Sequence, residues 1–258
     1  MTGLVDGGHD PVLVIVSPPR CGSTALARSF WRHDRFRWYC HEPFDLVYHA
    51  GAGLDSVRTA LAKSLDDDSP GGTGLVVKEM TFQARGHLPD LMGLATLPLV
   101  FLLRDPRRAI LSRARQRDRA GDEPWFPHRE SGWHDLLGAL ATAREHAVPH
   151  VVVDFDLLRG DPGSVLPALC RAVGVEFTPR MLSWPSRGDL DLGQLGGAQR
   201  HWYEQVLTST GFEPELRPPP SSEEFPARDG MRAHVAECVD LYRDFLRLPE
   251  ALAPDRRP

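Results

Sequence analysis

Lysine is almost missing from this chain: of 30 basic residues only Lys63 and Lys78 are lysines, so arginine is its habitual cation. Bulk positive charge is missing too. The formal net charge is -5, which argues against nucleic acid or a membrane surface as partner, because both need a net or locally continuous basic face. Any anion site has to be a local one. Cysteine is scarce and dispersed; Cys21, Cys40, Cys170 and Cys238 form no CxxC pair, which removes a zinc site and a disulfide framework and points to reduced thiols. No apolar run approaches the roughly 20 residues of a membrane helix, and the opening MTGLVDGGHD lacks the basic-then-apolar order of a signal peptide. The expectation is a cytoplasmic protein without membrane insertion. No feature of the sequence sets an oligomeric state.

With 41% hydrophobic and 25% charged residues in 258 positions, the chain can build one core of ordinary density. A single domain over residues 1–258 is expected, its core at about 12–247 with short flexible termini. Short aliphatic runs at 12–17, 75–78, 99–103 and 151–155 read as strands, and their continuous rather than alternating hydrophobicity suits parallel strands covered on both faces. Helical patterns lie between them at 22–33, 55–65, 106–118, 132–147, 162–173 and 229–247. Asp105-Pro106 and Asp161-Pro162 are helix starts, each an N-cap followed by proline in the first turn. LDDDSPGGTG at 65–74 reads as a surface loop and LRPPPSSEEFP at 216–226 as an extended connector. The fold class is α/β: a central parallel sheet flanked by helices in a P-loop-like three-layer sandwich.

Two constellations carry chemistry. In VLVIVSPPRCGSTALARSFW, residues 12–31, a buried strand feeds a tight turn that opens into a helix. Such a turn aims backbone N–H groups and the positive end of a helix dipole at one spot. Gly22 admits a ligand close to the backbone, Ser23 and Thr24 add hydroxyls, and Arg20 brings a fixed charge; Cys21 and Ala25 contribute main chain. The nucleotide-hydrolase pattern GxxxxGK[ST] is absent, since Gly22 has neither a glycine five residues earlier nor a lysine after it. In FLLRDPRRAILSR, residues 101–113, Arg104 ends a strand and Ser112 lies about two helical turns further on, within reach of one shared phosphate. Arg108 is a further candidate contact; the arginines at 107, 113, 115, 117 and 119 read as a solvated face.

These segments resemble the sulfotransferases that use 3′-phosphoadenosine 5′-phosphosulfate (PAPS). SPPRCGSTAL is similar to their loop for the 5′-phosphosulfate, with Arg20 where many members carry lysine, and RDPRRAILS to their 3′-phosphate element. The likeness continues through residues 151–184 and HWYEQVLTSTGF at 201–212. The resemblance implies transfer of a sulfuryl group by in-line displacement to a hydroxyl or amine of a small-molecule acceptor, with adenosine 3′,5′-bisphosphate as product and no metal required. It implies a catalytic Lys78 at the end of GLVVK beside the sulfuryl group, where Arg20 assists it, and a contact from Arg200 to the 3′-phosphate, with Trp202 packed near the purine or, equally, an ordinary core aromatic. A general base is also implied. Glu42 in YCHEPF, after a short strand-like stretch, is the leading candidate, and Pro43 aims it; Glu79 and His41 remain open alternatives, because the histidine of the eukaryotic members is replaced by Met80. Loops at 39–55, 81–95 and 120–135 would line the acceptor pocket; their Trp125, Phe126, His128 and Trp133 suit an apolar acceptor, and core packing explains them equally well. Two other readings stand beside this one: a P-loop phosphotransferase of kinase type, and a non-catalytic nucleotide-binding relative.

Overall fold

A computed structural model describes residue 4 and residues 8–62, 72–186 and 191–253 of the protein, with backbone only at 198, 199 and 228. Lys63, residues 65–71 of the expected surface loop and the end of the helix expected at 55–65 lie outside the described residues.

Five strands form one parallel sheet: β1 (Val12–Ser17), β2 (Phe36–His41), β3 (Gly74–Met80), β4 (Leu99–Leu103) and β5 (His150–Asp154), in the order β2-β3-β1-β4-β5. Every strand runs the same way, with Ile15 opposite Lys78 on one side of β1 and Val100 on the other. The aliphatic runs make this arrangement necessary, because a strand apolar on both faces has to be covered on both. Alternate residues of β1 accordingly enter different cores. Val12, Val14 and Val16 pack with Leu75, Val77 and Phe101 against α3 (Leu54–Ala62), α4 (Leu88–Met92), α5 (Pro106–Arg119), α6 (Trp133–Glu145) and α11 (Met231–Phe245). Leu13 and Ile15 pack with Val76 and Val100 against α1 (Ser23–Trp31) and α8 (Pro162–Val173). Three layers result, as expected.

Local signals place the helix starts. Asp105 accepts from Arg107 N at 2.9 Å at the head of α5, and Asp161 accepts from Ser164 N at 3.1 Å at the head of α8. Short helices α2 (Asp45–Ala50), α7 (Phe155–Gly160), α9 (Gly196–Gln199) and α10 (Glu204–Thr208) complete the chain. The winding reverses at β1, whose neighbours are β3 on one side and β4 on the other. The crevice beyond the carboxyl end of β1 is therefore the switch point where doubly wound sheets collect ligands. Among the described residues no helix is long and apolar enough to cross a membrane.

Candidate functional site

The turn after β1 is shaped by its residue types. Pro18 and Pro19 cannot extend the ladder, and Arg20 (φ 65°) and Gly22 (φ 83°) then adopt left-handed backbone. Gly22 has a second reason to be glycine: a Cβ there would sit 2.2 Å from Phe155 Cζ. Helix α1 begins at Ser23 with no side chain capping its first turn, so its leading amides and dipole face the crevice. Cys21 is fully buried beneath the turn, and burial pushes its thiol up to about 12. It can offer a ligand main chain only.

Arg104 leaves β4 and ties the second element to the first: its Nη1 donates to the Arg20 carbonyl at 3.3 Å. Arg20 reaches back, donating from Nε to Ser112 Oγ at 3.3 Å and from Nη1 to the Trp202 carbonyl. Asp156, at the start of α7, lies between two guanidinium groups, 3.5 Å from Arg104 Nε and 3.4 Å from Arg108 Nε. These are loose ion pairs: both Nε atoms and Asp156 Oδ1 are buried without a hydrogen bond. The two guanidinium Nε–H donors left in that state fit an anion that would complete them, while Asp156 is the negative group such an anion would have to outcompete.

At the ends of β2 and β3 lies a buried charged knot. Lys78 Nζ donates to Glu42 Oε1, Tyr203 Oη donates to the same oxygen at 2.5 Å, and His41 Nε2 lies 3.3 Å away. Burial pushes Glu42 up, but the Lys78 ammonium and His41 outweigh it and hold the carboxyl well below the usual carboxylate range. Glu79 goes the other way. Burial and the Glu42 charge raise it well above that range, while its oxygens accept from Phe44 N at 2.8 Å and Met80 N at 2.7 Å. With its amide nitrogen turned toward the carboxylates, Gln83 donates to Glu79 Oε1 at 2.7 Å and Glu42 Oε2 at 3.3 Å.

A cleft of about 1430 Å³ opens over these elements. It exceeds the few hundred to about 1,000 Å³ of an ordinary small-ligand pocket, so it has room for a nucleotide and a second molecule. Arg20, Gly22, Ser23, Thr24 and Ala25 line it, as do Lys78, Arg104, Ser112 and Trp202. Cys21, His41, Glu42 and Glu79 are not on its wall. Arg200 is exposed and also off the wall.

Two expectations need correction. Of the aromatic residues expected at the acceptor pocket, Trp133 and Phe126 are core, Trp125 packs on Phe225, and His128 stacks on His234 at 4.3 Å. The cleft presents Tyr48 and Phe82 instead. Arg113, expected on a solvated face, is buried: Nη2 donates to Glu130 at 2.6 Å, and the guanidinium lies over the Phe82, Phe126 and Trp202 rings at 5.2, 4.7 and 5.7 Å. Charge outweighs spacing in a sequence reading, whereas three aromatic faces and a carboxylate here supply what burial removes. Tyr203, Asp156 and Gln83 were not foreseen. The acidic residues ending VVVDFD were the available signal for Asp156; nothing local marks the other two.

Residues 12–232 match the model of a family described as Sulfotransferase domain. The sulfotransferase domain of the Synechococcus PCC 7002 olefin synthase superposes with a TM-score of 0.53 at 17% identity, over 92% of this chain and 96% of that one. The sulfotransferase domain from the curacin biosynthetic pathway gives 0.51 at 15% identity, over 90% and 97%. Both share the fold. A branched-chain-amino-acid aminotransferase-like protein 1 of Arabidopsis thaliana is 25% identical over 135 residues, 49% of this chain, which spans about a quarter of that relative's length (24%).

Proposed function

Because the chain belongs to the sulfotransferase domain family, we propose that it transfers a sulfuryl group from PAPS to a hydroxyl or amine of a small-molecule acceptor. One observation carries the choice of donor: an uncapped helix start and a separate arginine-serine element line the same cleft and are bridged by Arg20. Two anion sites within one nucleotide's length suit a molecule phosphorylated at both ends of its ribose.

PAPS supplies the activated sulfuryl group and leaves as adenosine 3′,5′-bisphosphate. The first-turn amides of α1, with the Ser23 and Thr24 hydroxyls, hold the 5′ end. Arg104 and Ser112 hold the 3′-phosphate, with Arg20 reaching both sites; a bidentate guanidinium grip suits that group. Lys78, on the same wall but across the β1 turn from Arg104, offsets charge that develops at the reacting oxygens. Glu42 in this reading is the counter-charge that orients Lys78 rather than the group that meets the acceptor, since it is sealed behind Lys78 and Tyr203.

Incubation with PAPS and a panel of phenols, alcohols and amines should release adenosine 3′,5′-bisphosphate in step with acceptor sulfation. Thermal stabilisation by the bisphosphate with no turnover on any acceptor would favour a non-catalytic relative instead. Magnesium-dependent stabilisation by ATP alone would favour a phosphotransferase.

A further inference from the structure

We propose that His49 is the group that takes the acceptor's proton, its ring fixed by a Gln83 amide anchored on Glu79 and Glu42; this rests on the sulfotransferase reading above. Glu42, Glu79 and His41 do not reach the cleft wall, whereas His49, in the last turn of α2, lines it beside Tyr48 and Lys78. Its Nε2 lies 3.4 Å from the Gln83 amide.

The tautomer follows from the network. Gln83 is buried; the ionised Glu42 Oε2 is an acceptor whatever the state of Glu79, and turning the amide nitrogen toward it at 3.3 Å also brings that nitrogen to Glu79 Oε1 at 2.7 Å. Its oxygen therefore faces His49 and accepts from Nε2–H. That leaves the lone pair on Nδ1. Tyr48 packs edge-on against the ring at 4.9 Å and 89°. An unbroken run of contacts, Lys78 to Glu42 to Gln83 to His49, sets the imidazole and the ammonium on one wall, separated by two side chains.

The proton balance is simple. The acceptor O–H or N–H gives its proton to Nδ1 as its heavy atom bonds to sulfur. The bond from sulfur to the 5′-phosphate oxygen breaks, and its electron pair leaves with that oxygen. The imidazolium then returns its proton to water, since His49 is exposed at the cleft mouth. The groups facing the ring are Glu42, Arg113, Glu130, Gln83 and Tyr48; burial lowers its pKa below the ordinary 6.5, with Glu42 and Glu130 pulling it up and Arg113 down. His49 is thus uncharged and ready to accept a proton at neutral pH.

The test has two arms on the full chain. With PAPS and p-nitrophenol or another acceptor that the wild type sulfates, His49→Ala should lose about 10²–10⁴-fold in kcat. Bisphosphate affinity should stay within about twofold of wild type, and added imidazole should restore part of the rate. A His49→Ala rate within about threefold of wild type overturns the assignment. The second arm needs no acceptor: imidazole ¹⁵N spectra should show His49 as the Nε2–H tautomer, titrating below 6.5, and Gln83→Leu should abolish that preference. An Nδ1–H tautomer, or a charged ring at pH 7.5, overturns it. Failure of the wild type to bind the bisphosphate at all overturns the sulfotransferase reading instead, and this inference with it.

Discussion

At the end of the cleft proposed for the nucleotide the charges are fixed: helix amides at α1 and the guanidinium groups of Arg20, Arg104 and Arg108, of which Arg20 has its pKa lowered by burial yet stays a guanidinium cation. At the other end, proposed for the acceptor, the side chains are titratable, and His49, Glu42 and Glu79 are displaced from their ordinary pKa values in both directions. The contrast teaches a division of labour. Grip on a doubly phosphorylated nucleotide needs charge that does not depend on pH, and arginine supplies it. Moving a proton needs groups poised to change state. Lys78 stands at the boundary, the single lysine among the described residues of a chain that otherwise uses arginine.

Breaking that boundary should have the largest effect. Lys78→Met leaves Glu42 buried without its cation, and urea unfolding should show a loss of about 3–5 kcal/mol. Turnover should fall about 10²–10³-fold as an electrostatic contribution to the transition state is lost. Adding Glu42→Gln should recover most of the stability and none of the turnover, which separates the structural half of the pair from the chemical half. Next in size is Arg104→Ala. Removing a partner of charge-assisted hydrogen bonds costs about 2–5 kcal/mol, so calorimetry should give a Kd for the bisphosphate at least about 30-fold weaker. Binding of AMP should change far less than that of the bisphosphate.

The pH dependence sharpens the contrast. Glu42 is held below its ordinary 4.5 in the folded protein. Its contribution to stability is therefore complete above that value and is lost as pH falls through the depressed one. Urea midpoints measured from neutral to acid pH should decline in that direction, whereas bisphosphate affinity should stay flat between about pH 7 and 9, where guanidinium groups do not titrate. The smallest effect is expected from Arg200→Ala: Arg200 is exposed and off the wall, so bisphosphate affinity should change by less than about threefold, within the usual range of a surface substitution.

That the turn after β1 and the Arg104–Ser112 element would form local units was legible because each of them is contiguous. Strand, turn and helix start fall within residues 12–31, and Arg104 through Ser112 within one strand end and two turns of α5. Periodicity and caps also gave the five-strand parallel order its material: four strands came from aliphatic runs, and β2 was recognised only as a strand-like stretch because FRWYCH mixes charge with aromatics. The end proposed for the acceptor was harder to read because tertiary contact assembles it. Gln83 and His49 come from different loops and a short helix, Tyr203 approaches from about 160 residues away, and nothing in a local window reveals that Glu42 is sealed. Arg113 shows the same limit, since its surroundings come from three separate segments.

The most direct measurement is a pair of calorimetric titrations of the wild-type protein, one with adenosine 3′,5′-bisphosphate and one with AMP, which lacks only the 3′-phosphate. If Arg104, Arg20 and Ser112 form a dedicated site for that group, the bisphosphate binds at least about tenfold more tightly, a difference of about 1.4 kcal/mol. Equal affinities, or no heat with either nucleotide, would contradict it.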